Sequence, residues 1–269
     1  MAITKNFIRK PNVAGSFYEK DPHRLQNSIA SFFAKKIRPD GGVKGKHIRA
    51  LISPHAGYMY CGRVMASAYQ LLIGKHYTKV ILIGPSHSVG FSSVAFDTAD
   101  VWETPLGTTL IDTKTNEQFL FHEEFDVLPQ VFDKEHSLEV ELPFLQTVLS
   151  SFSLIPLCTG QNILHTAVSE KLKTLLTDET LVVVSSDFSH YHPQKDANTL
   201  DHDSIQAILS KNPSRIDTTV DACGLEAIKI LNDLSIINHW KPIFLDYKTS
   251  ADVTGDMSAV VGYASFAYV

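Results

Sequence analysis

Three short apolar runs in this chain end in turns that carry a histidine. Ala50–Leu51–Ile52 runs into Ser53-Pro54-His55-Ala56-Gly57-Tyr58. Val80–Ile81–Leu82–Ile83 runs into Gly84-Pro85-Ser86-His87. Leu181–Val182–Val183–Val184 runs into Ser185-Ser186-Asp187-Phe188-Ser189-His190. An imidazole titrates near neutral pH and binds metals through either ring nitrogen, so it serves as ligand or as acid and base. A single histidine after a strand is ordinarily a hydrogen-bonded loop residue. Three at equivalent topological positions are different, because parallel α/β sheets bind ligands outside the carboxyl ends of their strands. The glycines and prolines beside them fit tight turns that aim a side chain across those ends.

Two further clusters bear on the same crevice. Glu135-His136-Ser137-Leu138-Glu139-Val140-Glu141-Leu142-Pro143 opens a helical pattern. Ser137 is expected to cap its first turn, with Glu139 and Glu141 at the positive end of the dipole. His136, just before the cap, is free to point into the crevice. Asp221-Ala222-Cys223-Gly224-Leu225 precedes another helical pattern, and both a helix N-terminus and a cation favour a thiolate there. Two histidines plus one anionic ligand, with positions left open, is the arrangement of non-haem Fe(II) oxygenases. It equally suits a hydrolytic Zn²⁺ with a bound water. Spacing leaves the third ligand open among Asp187, Glu139, Glu141 and Cys223. Cys61 and Cys158 read as small buried residues. His23, His47, His76, His122, His165 and His239 have no motif around them and are assigned to the surface, and His192 and His202 are neighbours of the third strand end.

The elements that must hold these groups are legible as an alternation. The three histidine-bearing runs are continuously apolar, as strands covered on both faces are. Leu154–Leu157 is an ambiguous fourth strand, because Pro156 removes a ladder donor, and Ala259–Val269 is a β-favouring tail. Helical patterns lie at Pro22–Lys36, Cys61–Leu72, Ser137–Leu149, Thr166–Leu176, Leu200–Leu209 and Gly224–Leu234. Arg38–Lys46, rich in glycine, reads as a surface loop. This is the α/β signature, and no linker, repeat or low-complexity tract divides residues 1–269 into more than one domain.

Composition narrows the function classes. With 24 basic and 29 acidic residues the net charge is −5, and no basic block marks a nucleic-acid or anionic-membrane surface. No apolar run approaches the ~20 residues of a membrane span, and the N-terminus lacks the apolar core of a secretory signal. Three scattered cysteines make no disulfide framework. The expectation is a cytoplasmic protein with no nucleic-acid or membrane partner.

The ordered set of motifs resembles the Memo family, which includes the AmmeMemoRadiSam system protein B of bacteria and archaea. The resemblance runs through Asn12-Val13-Ala14-Gly15-Ser16-Phe17-Tyr18, Pro54-His55-Ala56-Gly57-Tyr58-Met59-Tyr60-Cys61, Gly84-Pro85-Ser86-His87 and Thr104-Pro105-Leu106-Gly107. It continues through Glu135-His136-Ser137-Leu138-Glu139, Ser185 to His190 and Ala222-Cys223-Gly224. That family is similar in fold to class III extradiol dioxygenases, where two histidines and a glutamate hold Fe(II). The resemblance implies a single α/β domain with a mixed, largely parallel sheet flanked by helices. It implies His55 and His87 as metal ligands, with Cys223 standing where the dioxygenases have glutamate, and His190 as acid and base. Asp187 and His136 then join the catalytic group, and Tyr60 and Phe17 form an aromatic wall. Phe17 departs from the tryptophan expected there, which bears on specificity.

A thiolate is softer than a carboxylate, so iron, copper and zinc all suit such a site. The resemblance therefore implies a redox-active metal pocket, a dioxygenase-like oxidoreductase with Fe(II) or Cu, rather than a named ring-cleavage reaction. Two alternatives stand beside it: a module that binds a peptide or protein in the same crevice, and a zinc hydrolase on the same ligands. Relatives in animals are linked to phosphotyrosine signalling, although no arginine cluster for phosphate accompanies these motifs. Prokaryotic relatives imply a radical SAM protein and a further AmmeMemo component as partners.

Overall fold

The computed structural model describes residues 7–34 and 42–269. Five parallel strands form its centre, in the order Gly107–Ile111, Ser153–Thr159, Lys79–Pro85, Thr180–Ser185 and Ala50–Ser53. Val260–Tyr268 extends the sheet antiparallel to Ala50–Ser53 and carries Pro242–Thr249 and His190–His192, both antiparallel. At the other side Val101–Thr104 pairs with Gly107–Ile111 as a hairpin, and Ile8–Arg9 closes that edge. The fold is a mixed, largely parallel sheet in one α/β domain.

The continuous apolar runs follow from this layering. Side chains alternate across a strand. Leu51, Val80, Leu82, Leu181 and Val183 face the helices Pro22–Ala34, Tyr58–Tyr69 and Leu142–Val148. Ile52, Ile81, Ile83, Val182 and Val184 face His165–Lys173, Gln194–Ser210 and Leu225–Ile237. With helices on both faces neither set of positions can be polar. The strands therefore all finish at one end of the sheet, and the polar, histidine-bearing residues begin where the helical cover stops.

Pro156 is accommodated inside a central strand. Leu154 turns its carbonyl outward to the Asp112 N–H, so Pro156, two residues on, also turns its backbone outward. The outer neighbour changes at that point. Ser153 and Leu154 pair with Leu110 and Ile111, whereas Leu157 to Thr159 pair with Phe96 to Val94. The missing N–H lies in the gap between two partners.

Other boundaries shift. The helix expected from Cys61 begins at Tyr58, and its last turn, Gln70–Leu72, tightens to 3-10. The pattern over Ser137–Leu149 divides into a 3-10 turn at Glu139–Glu141 and a helix at Leu142–Val148, since Pro143 suits a first turn and not an interior. Leu200–Leu209 is the second half of a longer helix, Gln194–Ser210. Pro22–Ala34 is helical as far as it is described. Residues 35 and 36, and the first part of the Arg38–Lys46 loop, lie outside the described residues. Among the described residues no helix is long and apolar enough to cross a membrane.

Candidate metal centre and its cleft

The first turn after Ala50–Ser53 places His55 almost wholly inside, at 1% exposure. Its backbone N–H donates to Asp187 Oδ1 at 2.8 Å, and its ring Nδ1 lies 2.8 Å from Ser185 Oγ. His87 stands two residues beyond Lys79–Pro85, with its side chain 34% exposed at the mouth. It donates its backbone N–H to Glu135 Oε2 at 2.6 Å and its Nδ1–H to Glu135 Oε1 at 2.9 Å. The same Oε1 accepts the backbone N–H groups of His136 and Ser137, each at 2.8 Å.

Glu135 is therefore a buried anion with four donors. Burial raises its carboxyl, but the hydrogen bond and charge of His87 and the N–H groups outweigh that and hold it at about 2. In return burial lowers the His87 imidazole while Glu135 outweighs it, for a net rise. The Glu135 contact fixes the proton on Nδ1 and leaves Nε2 as the free ligand atom, the usual arrangement behind a metal-binding histidine.

The turn that carries Glu135 also delivers His136. The His55 and His87 rings lie 5.1 Å apart at 78°, His87 and His136 stack at 4.7 Å and 22°, and His55 and His136 meet edge-on at 5.6 Å. One ring nitrogen from each of the three lies within 4.8 Å of the other two. Cys223 Sγ is 3.3 Å from His55 Nε2 and accepts the Asp187 N–H at 3.3 Å. Three imidazole nitrogens with a thiol alongside form a donor set for a borderline or soft first-row ion rather than for Mg²⁺ or Ca²⁺.

Burial and the neighbouring His87 and His136 lower the His55 imidazole well below its ordinary value, so it stays neutral, as a ligand must. His136 is lowered mainly by burial, and so is His190. Asp187 is pushed up to about 7 by burial, against hydrogen bonds from the His55 and Ala56 backbone. The Cys223 thiol corrects one expectation. It lies before Gly224, ahead of the Leu225–Ile237 helix, and burial together with the Asp187 charge raises it. The helix end does not make a thiolate here; only a bound cation would reverse that balance.

The donors open into a cleft of about 600 Å³. Phe17, Tyr60, Tyr191 and Tyr263 supply aromatic surface, and Asp187 and His190 supply polar groups. Phe17 is held by its own segment. Glu139 accepts the backbone N–H groups of Asn12 and Val13 at 2.6 and 3.0 Å and the Tyr18 hydroxyl at 2.6 Å, and Phe17 then packs 4.6 Å from the His136 ring. His190 reaches the cleft through an irregular pairing. The register shifts between His190 and His192, and Tyr191 takes a left-handed φ of 62°, an uncommon conformation for a bulky residue.

All the residues singled out in the sequence, His55, His87, His136, Asp187, His190, Cys223, Phe17 and Tyr60, line this one cleft. The capping roles do not hold. The Ser137 hydroxyl donates to the Pro85 carbonyl at 2.8 Å. Glu139 ties the Phe17 segment, and Glu141 lies behind the site, accepting the Tyr69 hydroxyl at 2.7 Å. Because residues 139–141 make a single 3-10 turn, the two side chains leave in different directions. Neither enters the cleft. His47, His122 and His165 are half-buried rather than on the surface, and His165 pairs with Asp233 at 2.8 Å. Sequence reasoning gave no role to Glu135, Ser185, Tyr191 or Tyr263. Glu135 carried a signal, an acid beside a histidine; the others carried none, since their roles arise from strand pairing.

Comparison with known proteins agrees with this architecture. The chain is 34% identical to a MEMO1 family protein of Methanocaldococcus jannaschii over 97% of this chain and 98% of that one. It is 31% identical to a MEMO1 family protein of Nitrosopumilus maritimus, over 97% and 100%. In fold it is similar to the crystal structure of an uncharacterized protein of Escherichia coli K12, with a TM-score of 0.52 at 12% identity, covering 82% of this chain and 99% of that one. The family model described as Memo-like protein matches residues 9–267, so that the strand ends, the Glu135–His136 turn and the Cys223 turn all fall within it, and the chain belongs to the Memo family.

Proposed function

We propose that this protein is a metal-dependent oxidoreductase, dioxygenase-like, acting on a small molecule in the cleft. The observation that carries the reading is the meeting of His55, His87 and His136 nitrogens within 4.8 Å of one another at the floor of an aromatic-lined cleft. His55 and His87 are the common pair of any ligand set, because each has its inner nitrogen engaged by the protein. Cys223 supplies the third, anionic donor, and His136 lies beside it as a neutral competitor. Iron or copper in such a set would supply electron transfer to and from O₂.

The residues around the donors have separable tasks. Phe17, Tyr60 and Tyr263 offer planar apolar contact and exclude water from one side of the cleft. His190, kept neutral by burial, accepts a proton from a bound hydroxyl or thiol and returns it later. Asp187, poised at about 7, holds the His55 backbone and is a second place for that proton. Partnership with a radical SAM protein and a further AmmeMemo component belongs to the same reading, resting on family resemblance.

Elemental analysis of protein loaded anaerobically with Fe(II) or with Cu tests the reading. It is expected to give about one ion per chain, lost in His55→Ala and in His87→Ala, with O₂ uptake in the presence of catechols or thiols. Wild-type protein that binds neither ion overturns it. A zinc hydrolase is the second reading, favoured by the three imidazole nitrogens, which match a hydrolytic zinc site. Zinc substitution separates the two: hydrolysis of test esters survives it, whereas O₂ uptake does not. Titration with a phosphotyrosine peptide tests the binding-module alternative, which the absence of lysine and arginine among the cleft-lining residues does not favour.

A further inference from the structure

The second nitrogen of His55 is held by a network buried in the interior. Ser185 Oγ lies 2.8 Å from His55 Nδ1, 2.6 Å from the Ser137 carbonyl oxygen and 3.0 Å from Glu141 Oε1. Glu141 Oε2 accepts the Tyr69 hydroxyl at 2.7 Å. His55 is 1% exposed, and Ser185, Ser137, Glu141 and Tyr69 are fully buried. No solvent reaches these atoms, so their protons are shared among themselves and with the fully buried Ser53 hydroxyl, which bears on Glu141 and Tyr69.

A serine hydroxyl has one proton, and a carbonyl can only accept. At 2.6 Å the Ser137 carbonyl takes the Ser185 proton. Ser185 Oγ is then an acceptor towards both its other neighbours. His55 must carry its proton on Nδ1, and the Glu141 carboxyl must carry one on Oε1. Every other assignment leaves one of the three contacts at Ser185 Oγ with no proton in it. If Ser185 donated to His55, the Ser137 carbonyl would lose its only proton from this network. If Glu141 were ionised and took the Ser185 proton, that carbonyl would lose it in the same way.

We propose that Glu141 is a positioning residue that holds a proton, and that through Ser185 it fixes the His55 ring with Nδ1–H inward and the Nε2 lone pair facing the cleft. This rests on the metal reading only for the use made of Nε2; the proton assignment stands on the protein alone. Burial supports it by pushing the Glu141 carboxyl up to about 8 against its hydrogen bonds with Tyr69, Ser53 and Ser185. Glutamine reproduces the assigned state, because its carbonyl accepts from Tyr69 while its N–H donates to Ser185.

Nitrogen-15 NMR of histidine-labelled, metal-free protein reads the tautomer, and infrared spectroscopy reads the protonated carboxyl. Wild type is expected to show His55 as the Nδ1–H tautomer and a carboxylic-acid band at neutral pH. Glu141→Gln is expected to lose the Glu141 component of that band, leaving the part that Asp187 contributes, and to keep the tautomer. Ser185→Ala is expected to give mixed tautomers and a 10–100-fold loss of Zn²⁺ affinity by calorimetry. An Nε2–H tautomer in wild type overturns the proposal even if no variant folds. A carboxylic-acid band unchanged in Glu141→Gln, or a Ser185→Ala protein with wild-type tautomer and affinity, overturns it too. A wild type that binds no metal yet shows the assigned tautomer overturns the metal reading and leaves this assignment standing.

Discussion

His87 and His55 occupy equivalent strand ends, yet the protein backs them in opposite ways. Behind His87 stands an ionised carboxylate with four donors on it, close to solvent. Behind His55 stand a serine and a carboxyl in the closed interior of the domain. The difference follows from dielectric. Near the mouth a buried charge is compensated by an imidazole and by backbone N–H groups, so Glu135 stays ionised. Deep in the sheet an anion has no such cover, and Glu141 keeps its proton. Of the two histidines only His87 has an anion behind its ring, and His87 is thus the more basic ligand.

The largest expected effect comes from removing the charged side. Glu135→Ala leaves the His87 ring and three backbone N–H groups without their acceptor and is expected to cost about 2–4 kcal/mol of stability, measured by denaturant unfolding at pH 7. The sign of its pH dependence is fixed. The folded carboxyl, at about 2, lies below the ordinary glutamate value of 4.5, so its contribution is present above pH 4.5 and lost as pH falls through 2. The gap between wild type and variant should therefore close between pH 5 and 2. A gap that stays constant over that window would show that Glu135 acts by packing and not by charge.

The neutral side should respond at the other end of the scale. Glu141 is raised to about 8 and Asp187 to about 7. For a raised carboxyl the stabilising contribution is full below the unfolded value and fades as pH climbs to the folded one. These two groups contribute a loss of stability between pH 5 and 8, of up to about 1.4 kcal/mol per pH unit each, set below pH 6.5 against the gain from the lowered imidazoles of His55, His136 and His190. Glu141→Gln removes the Glu141 titration and should make the loss of stability between pH 6.5 and 8 shallower than in wild type, read from unfolding midpoints at successive pH values. An unchanged slope would mean that Glu141 is already ionised.

These two backings differ in how far the sequence announces them. His55, His87 and His190 are legible because each follows an unbroken apolar run, and such a run must end where the helices stop covering it. Glu135 is half legible, as an acid next to His136. Glu141 is not, because Glu139-Val140-Glu141 before a helix spells a dipole-capping pattern and only the 3-10 geometry turns the two carboxylates apart. The antiparallel flank is hidden for a different reason. Val94–Phe96 and His190–His192 are three residues each, too short for any periodicity, and Tyr191 reaches its left-handed φ through the pairing of His190 and His192 with Val260–Tyr268. Cys223 was legible as a residue type but not in its charge state, which depends on burial.

The smallest expected effect isolates one hydrogen bond in the neutral network. Tyr69→Phe keeps the ring, which stacks 5.2 Å from Phe144, and deletes only the hydroxyl that donates to Glu141 Oε2. The cost should be about 1 kcal/mol, since one acceptor oxygen is left bare and no cavity opens. The hydroxyl's donation lowers the Glu141 carboxyl, so its loss must raise it, and the alkaline loss of stability should extend to higher pH than in wild type. The His87 side should not notice, and the acid limb governed by Glu135 should superimpose on that of wild type. A Tyr69→Phe protein whose acid limb moves as well would show that the two histidine supports are one coupled network rather than two independent ones.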